Sequence, residues 1–191
     1  VSLRRNTEAF NTYDLLLGVL AGMASVDLST VILGRKIKLP FMLSPTAMQC
    51  LYHHEGELAV AKVTARLEVM YGVSTMATRS IEEIASCTQG LKFFQLYAHK
   101  NKELTSDLIA RCKNVWFDAL ALTVDTVVSG DRELDLRSRM TTSPKLSLKS
   151  LLSFAAHPDW PLNYLFRDKF DLANVSKYIK QGTDVSSSVT G

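Results

Sequence analysis

Residues 39–57 read LPFMLSPTAMQCLYHHEGE. The apolar run 39–44 stops abruptly at Ser44-Pro45-Thr46, and His53, His54, Glu55 and Glu57 follow within a few positions. Such a group could be a metal or acid–base cluster, or simply a strand turning into a helix. The rest of the chain favours the second reading. Near-continuous apolar runs recur at VMYGVST (69–75), KFFQLYA (92–98) and ALALTVD (119–125), as expected of strands covered on both faces. Helical patterns lie between them. The first, near 54–67, lines up Leu58, Ala61 and Ala65. The second, 81–87, opens with Ser80 three residues before Glu83, the spacing of a capping box. The third, near 102–113, sets Leu104, Leu108 and Cys112 on one face. Strands alternating with helices of this length imply βαβ units and a parallel sheet.

The repeat suits four units of a (β/α)₈ TIM barrel, or the start of a doubly wound sheet. Neither a GxGxxG fingerprint nor a Walker A loop is present. Each strand ends in hydrogen-bonding residues: Ser44-Pro45-Thr46, Ser74-Thr75, Gln95-Leu96-Tyr97 and Thr123-Val124-Asp125. Polar residues can merely mark strand ends. Four in succession point to a site on the C-terminal rim, where barrels of this type carry their chemistry. After Asp125 the regularity stops. A charged stretch, 126–140, leads into a long excursion with helices expected near 147–156 and 170–180. Insertions of that length serve as lids, partner surfaces or disordered segments.

Composition narrows the classes. Of the 191 residues, 47% are apolar and 21% charged, the balance of a soluble domain with a real core. The net charge of +3 is spread along the chain without a basic block, which argues against nucleic acid. Cys50, Cys87 and Cys112 fit no zinc or CxxC pattern, so small buried thiols in a reducing compartment are expected. No apolar run approaches the roughly 20 residues that cross a bilayer, and no signal peptide opens the chain. Both ends read as cut.

Taken in order, SPTAMQ (44–49), HHEGE (53–57), ATRSIEEIA (77–85), FFQLYAHK (93–100) and LTVDT with GDRELDLR (122–137) closely resemble the FMN-dependent 2-hydroxy-acid oxidases and dehydrogenases. That family includes glycolate oxidase, flavocytochrome b2 and mandelate dehydrogenase. The flanking RRNTEAFNTYDLL (4–16) and LLSFAAHPDWPLNYL (151–165) look most like its bacterial L-lactate dehydrogenase branch.

The resemblance implies roles residue by residue. The Pro45-Thr46-Ala47 turn would lie against the flavin near its reactive nitrogen. Ser74, Gln95 and Thr123 would bond the flavin, Gln95 reading its pyrimidine edge. Tyr97 would bond the substrate, and Asp125 would orient the catalytic histidine. Arg132 would favour negative charge on the substrate or intermediate, and Met76 would border the substrate side chain. From the residues alone, Tyr97 could be a strand-end aromatic and Asp125 a helix N-cap. Arg132 could join a solvated ion network with Asp131, Glu133 and Asp135. The resemblance gives no metal site and assigns His53, His54, His99 and His157 no catalytic part.

The implied reaction is oxidation of a small L-2-hydroxy acid, such as L-lactate, with electrons passing to a quinone, a cytochrome or oxygen. The implied protein is a cytoplasmic homo-oligomer, touching the inner face of the membrane through 145–180, where Leu, Phe and Trp mix with few acids. The family's "VKG" lysine and "HGGRQ" base do not occur in the 191 residues. The expectation is an incomplete domain over 1–191: an N-terminal segment (1–38), four strands with their helices (39–126) and an excursion (127–191). On this reading the chain is inactive alone, and poorly stable or self-associating. The alternative is a non-catalytic remnant or interaction fragment. Glu68 and Trp116 stand where the family has helix-ending glycines, and Leu17-Gly18 replaces a Pro-Arg pair.

Overall fold

The computed structural model describes residues 2–14, 16, 18–20, 22, 24–124, 156 and 171–180. Helix α1 (Ser2–Glu8) and a 3-10 turn (Ala9–Thr12) come first. A short antiparallel hairpin follows, β1 (Thr30–Ile32) with β2 (Arg35–Ile37). Its two-residue turn has Leu33 at φ 52° and Gly34 at φ 75°, the double left-handed geometry that matches hairpin twist.

The main body alternates strand and helix: β3 (Met42–Leu43), α2 (Glu57–Leu67), β4 (Met70–Ser74), α3 (Ile81–Cys87), β5 (Lys92–Tyr97), α4 (Lys102–Asn114) and β6 (Ala119–Thr123). The strands form one parallel sheet in the order β3-β4-β5-β6. A doubly wound sheet reverses its order at a switch point. This one runs in a single sense, as a barrel wall does. The first strand is shorter than its apolar run, because Pro40 cannot donate to a ladder.

One face of the sheet carries the core. Tyr71, Val73, Phe94 and Leu96 meet Ala61, Ile81, Ile84, Leu104, Leu108 and Cys112 from the three helices. Phe94 and Phe117 pack edge to face, with ring centroids 6.1 Å apart. The expected apolar stripe of α4 is thus the buried one. Of the three thiols only Cys112 is fully buried, and burial pushes it up to about 12; Cys50 and Cys87 are half-buried, which corrects the expectation for those two. The capping box on α3 forms as read: Ser80 Oγ accepts from the Glu83 amide at 3.1 Å, and Glu83 Oε2 accepts from the Ser80 amide at 2.7 Å.

The hairpin closes the end of the sheet where the strands begin. Arg35 reaches Asp118 at 3.3 Å, and the other Asp118 oxygen accepts the Lys92 amide at 3.0 Å. A further helix, α5 (Ser176–Lys180), ends a segment docked on α3 and α4. Asn174 Oδ1 accepts the Ile81 amide at 3.0 Å and Arg111 Nη2 at 3.1 Å, and Val175 is fully buried. Arg111 also grips Glu82 through two 2.7 Å bonds, which hold the Glu82 carboxyl below its usual range. Asn174, Val175 and Tyr178 therefore face the body. The expected membrane-contact stretch does not extend through them; apart from Ala156, its 145–170 part lies outside the described residues. No helix among the described residues is long and apolar enough to cross a membrane.

Both substituted helix ends adopt the left-handed conformation that glycine favours. Glu68 caps α2 at φ 51°, ψ 44°, and Trp116 lies just past α4 at φ 59°. Trp116 is exposed, and the Glu68–Lys38 ion pair is on the surface, so little packing opposes replacement. Glu68→Gly and Trp116→Gly should each add about 1 kcal/mol of stability. Together they should raise Tm by roughly 4–8 °C in a thermal melt.

His99, after β5, is buried, and neither ring nitrogen has a hydrogen-bond partner among the described residues. Burial holds the imidazole below its ordinary value. The unfolded chain therefore takes up the proton first as pH falls. The contribution is complete above the unfolded value of about 6.5 and is lost as pH falls towards the folded one. Tm should fall on acidification through that window, and His99→Phe should flatten this part of the fall.

Candidate functional site

The face of the sheet opposite the core is built from alternate residues. On β5, Lys92, Phe94 and Leu96 point to the helices, which leaves Phe93, Gln95 and Tyr97 on the other side. On β4 the same alternation places Gly72 and Ser74 there. The register aligns Ser74 with Gln95, and Gln95 with Ala121, while Tyr97 lies opposite Thr123. Parallel pairing brings polar side chains from three strands into one row. Ser74 Oγ donates to Gln95 Oε1 at 3.4 Å, and Gln95 Nε2 donates to Thr123 Oγ1 at 2.5 Å. Ser74 Oγ also accepts the Met76 amide at 3.1 Å, which folds the chain sharply back after β4.

Thr75 staples the strand ends. Its hydroxyl donates to the Gln95 carbonyl at 2.6 Å and accepts the Tyr97 amide at 3.2 Å. Tyr97 is half-buried, one step beyond Gln95 on the same face. Pro45 packs over Gly72. A Cβ on Gly72 would lie 2.5 Å from Phe93 Cζ and 2.7 Å from Pro45 Cδ, so only glycine lets the turn approach the strand. Thr46 next to it is exposed, Ala47 is half-buried, and the Thr46 hydroxyl donates to the Ser44 carbonyl at 3.4 Å.

Seven of the ten residues expected at the site, Pro45, Thr46, Ala47, Ser74, Gln95, Tyr97 and Thr123, thus come from the ends of four neighbouring strands. Met76 stands at the same rim, half-buried. Asp125 and Arg132 lie outside the described residues. Sequence reasoning missed a supporting layer, Gln49, Gly56, Glu57, Gly72 and Thr78, and gave Thr75 no part beyond ending its strand. The HHEGE stretch contains two of these residues, Gly56 and Glu57. His53, His54 and Glu55 do bring potential ligand atoms within 4.8 Å of one another. His53 and Glu55 are exposed, and His53 Nδ1 already accepts the Glu55 amide at 3.3 Å.

The row Ser74–Gln95–Thr123 consists of neutral groups that both donate and accept. After the bonds above, the second amide hydrogen of Gln95 and lone pairs on both hydroxyls remain available. That set suits a flat heterocycle whose edge alternates N–H and C=O. The Pro45 turn on Gly72 offers an apolar flank beside it. The residues present therefore fit the pyrimidine edge of a flavin.

Comparison with known proteins gives the family. The model of the FMN-dependent dehydrogenase family matches residues 1–189. Glycolate oxidase 1 of Zea mays is 40% identical over 149 residues, covering 78% of this chain and 40% of that protein. The structure of the monotopic membrane protein (S)-mandelate dehydrogenase superposes with a TM-score of 0.86 at 25% identity, over 96% of this chain and 52% of the other. A Pediococcus acidilactici protein with a provisional lactate oxidase name gives 0.70 at 31% identity, over 81% and 43%. The chain spans about half or less of the length of these relatives, whose fold is the (β/α)₈ barrel. This chain belongs to the FMN-dependent dehydrogenase family.

Proposed function

We propose that the chain forms the flavin-facing N-terminal part of an FMN-dependent enzyme that oxidises a small L-2-hydroxy acid. The observation that carries the reading is the Ser74–Gln95–Thr123 row beside the Pro45 turn. Bound FMN would supply the hydride acceptor. In this reading Ser74, Gln95 and Thr123 hold the pyrimidine edge, and the backbone of Pro45-Thr46-Ala47 borders the ring. The Tyr97 hydroxyl, at the rim on the same face, donates to the substrate. Arg132 pairs with the substrate carboxylate or with negative charge on the intermediate. Asp125 orients the histidine base, and Met76 limits the substrate side chain. The histidine base and the flavin-stabilising lysine are supplied by sequence other than these 191 residues.

L-Lactate is the proposed substrate, because the sequence around 4–16 and 151–165 looks most like that branch. The relatives' names also include glycolate and mandelate enzymes. Electrons then pass to a quinone, a cytochrome or oxygen. Residues 145–170 form the proposed contact with the cytoplasmic face of the membrane, as part of a homo-oligomeric enzyme. The test is anaerobic: FMN-loaded chain is mixed in turn with L-lactate, glycolate and (S)-mandelate while flavin absorbance is followed. The expected result is flavin uptake without bleaching. Bleaching by any of the three would overturn the assignment of the base to sequence outside this chain.

A further inference from the structure

Glu57 is fully buried in the first turn of α2, and nothing assigned to the site so far uses its carboxylate. Both of its oxygens are engaged. Oε1 accepts the Thr78 amide at 2.8 Å and the Gln49 amide at 3.4 Å, and Oε2 accepts the Thr78 hydroxyl at 2.6 Å. Two further bonds run beside these. The Cys50 amide donates to Thr78 Oγ1 at 3.2 Å, and the Met48 amide donates to the Met76 carbonyl at 3.1 Å. Residues 48–50, in the loop after β3, are thereby stitched to residues 76–78, in the loop after β4.

Gln49 passes the constraint on. Its Nε2 donates to the Thr46 carbonyl at 3.3 Å and to the Tyr71 hydroxyl at 3.0 Å, so both amide hydrogens are used. Its backbone is fixed by Glu57 while its side chain fixes the turn. Met48 is held left-handed at φ 55°, which bends the chain so that both contacts can form. The Tyr71 phenol, buried in the core, is pushed above its ordinary value by burial first and by the Glu57 charge second.

A buried carboxylate is a poor choice for packing alone, since an apolar side chain fills the same volume without desolvating a charge. We propose that Glu57 is a positioning residue. Acting through Gln49, it sets the distance and register of the Pro45-Thr46-Ala47 turn against β4, and so the flank of the flavin site. This rests on the flavin reading above, and adds to it a named residue that never touches the cofactor.

The test uses the 191-residue chain with Glu57→Leu, Gln49→Leu, both together, and Glu57→Gln. Each leucine variant should weaken FMN binding about tenfold, and the double variant should lose no more than about threefold beyond either single, because the two act in series. Glu57→Gln keeps an oxygen for the two amides and should stay within about threefold of the parent. In the flavin-free protein, Glu57→Leu should speed amide hydrogen exchange at 46–50 by about tenfold or more, while 92–97 keep their protection. Lower Tm with unchanged FMN affinity would overturn the positioning role. Independent, multiplying losses would overturn the route through Gln49. Normal FMN uptake with unchanged exchange at 46–50 would overturn the clasp alone. A parent chain that takes up no FMN would overturn the flavin reading itself, and with it the purpose assigned to the clasp.

Discussion

Gln95→Leu should weaken FMN binding by about a hundredfold in a fluorescence titration, with little change in Tm. Gln95 occupies the middle of the polar row and reaches both Ser74 and Thr123. Leucine has nearly the same volume but neither donates nor accepts. The proposed bonds to the flavin edge vanish, and the two hydroxyls lose the partner that orients them. Hydrogen bonds of about 1 kcal/mol net, together with the cost of polar groups left unpaired, sum to about 3 kcal/mol, which is roughly a hundredfold. The neighbouring position provides the control. Leu96 points the other way into the core and is 5% exposed. Leu96→Ala should cost about 2–4 kcal/mol of stability and leave FMN affinity in the folded fraction nearly unchanged. If the two substitutions exchanged effects, the face assigned to the site would be wrong.

Gly56→Ala should remove about 3 kcal/mol of stability, seen as a fall of roughly 6–12 °C in Tm. Gly56 precedes α2 at φ 49°, ψ −131°, a conformation that side chains rarely adopt. A Cβ there would lie 2.5 Å from Cys50 Sγ and 3.1 Å from the Cys50 nitrogen. The sulfur can be removed, but the backbone cannot. Adding Cys50→Ala should therefore recover only part of the loss. Gly56 also sets the entry angle that brings Glu57 under the loops, so FMN affinity should fall together with stability. A neutral Gly56→Ala would mean that the chain enters α2 by another path.

Much of the framework was legible because local pattern and tertiary role coincide. Residues 70–74 are apolar or small throughout and buried on both sides of the sheet, so their run reads directly as a strand. Ser80 and Glu83 interact within one turn, so their spacing foretells the cap. Leu104, Leu108 and Cys112 recur at the helical period and face the core. The β1–β2 hairpin was not read. Its strands are three residues each, and its Leu33-Gly34 turn lacks the usual Asn-Gly or Asp-Gly signal.

The site divides in the same way. Ser74, Gln95, Tyr97 and Thr123 stand at strand ends, where the barrel rule and the family motifs both point. The Glu57 clasp was hidden because its partners lie 8 and 21 residues away in the chain, and no periodicity links them. His53 and His54 gave the louder signal in the same stretch. A buried acid between glycine and a helical run looks, in sequence, like any first-turn glutamate.

The central claim is that the face carrying Ser74, Gln95 and Thr123 holds the flavin. The most direct measurement is nuclear Overhauser contact between FMN and the isotope-labelled chain. Contacts are expected from the flavin ring to Thr46, Ala47, Ser74 and Gln95, and none to Ile84, Leu104 or Leu108 behind the sheet. Absence of bound FMN, or contacts confined to the helical face, would contradict it.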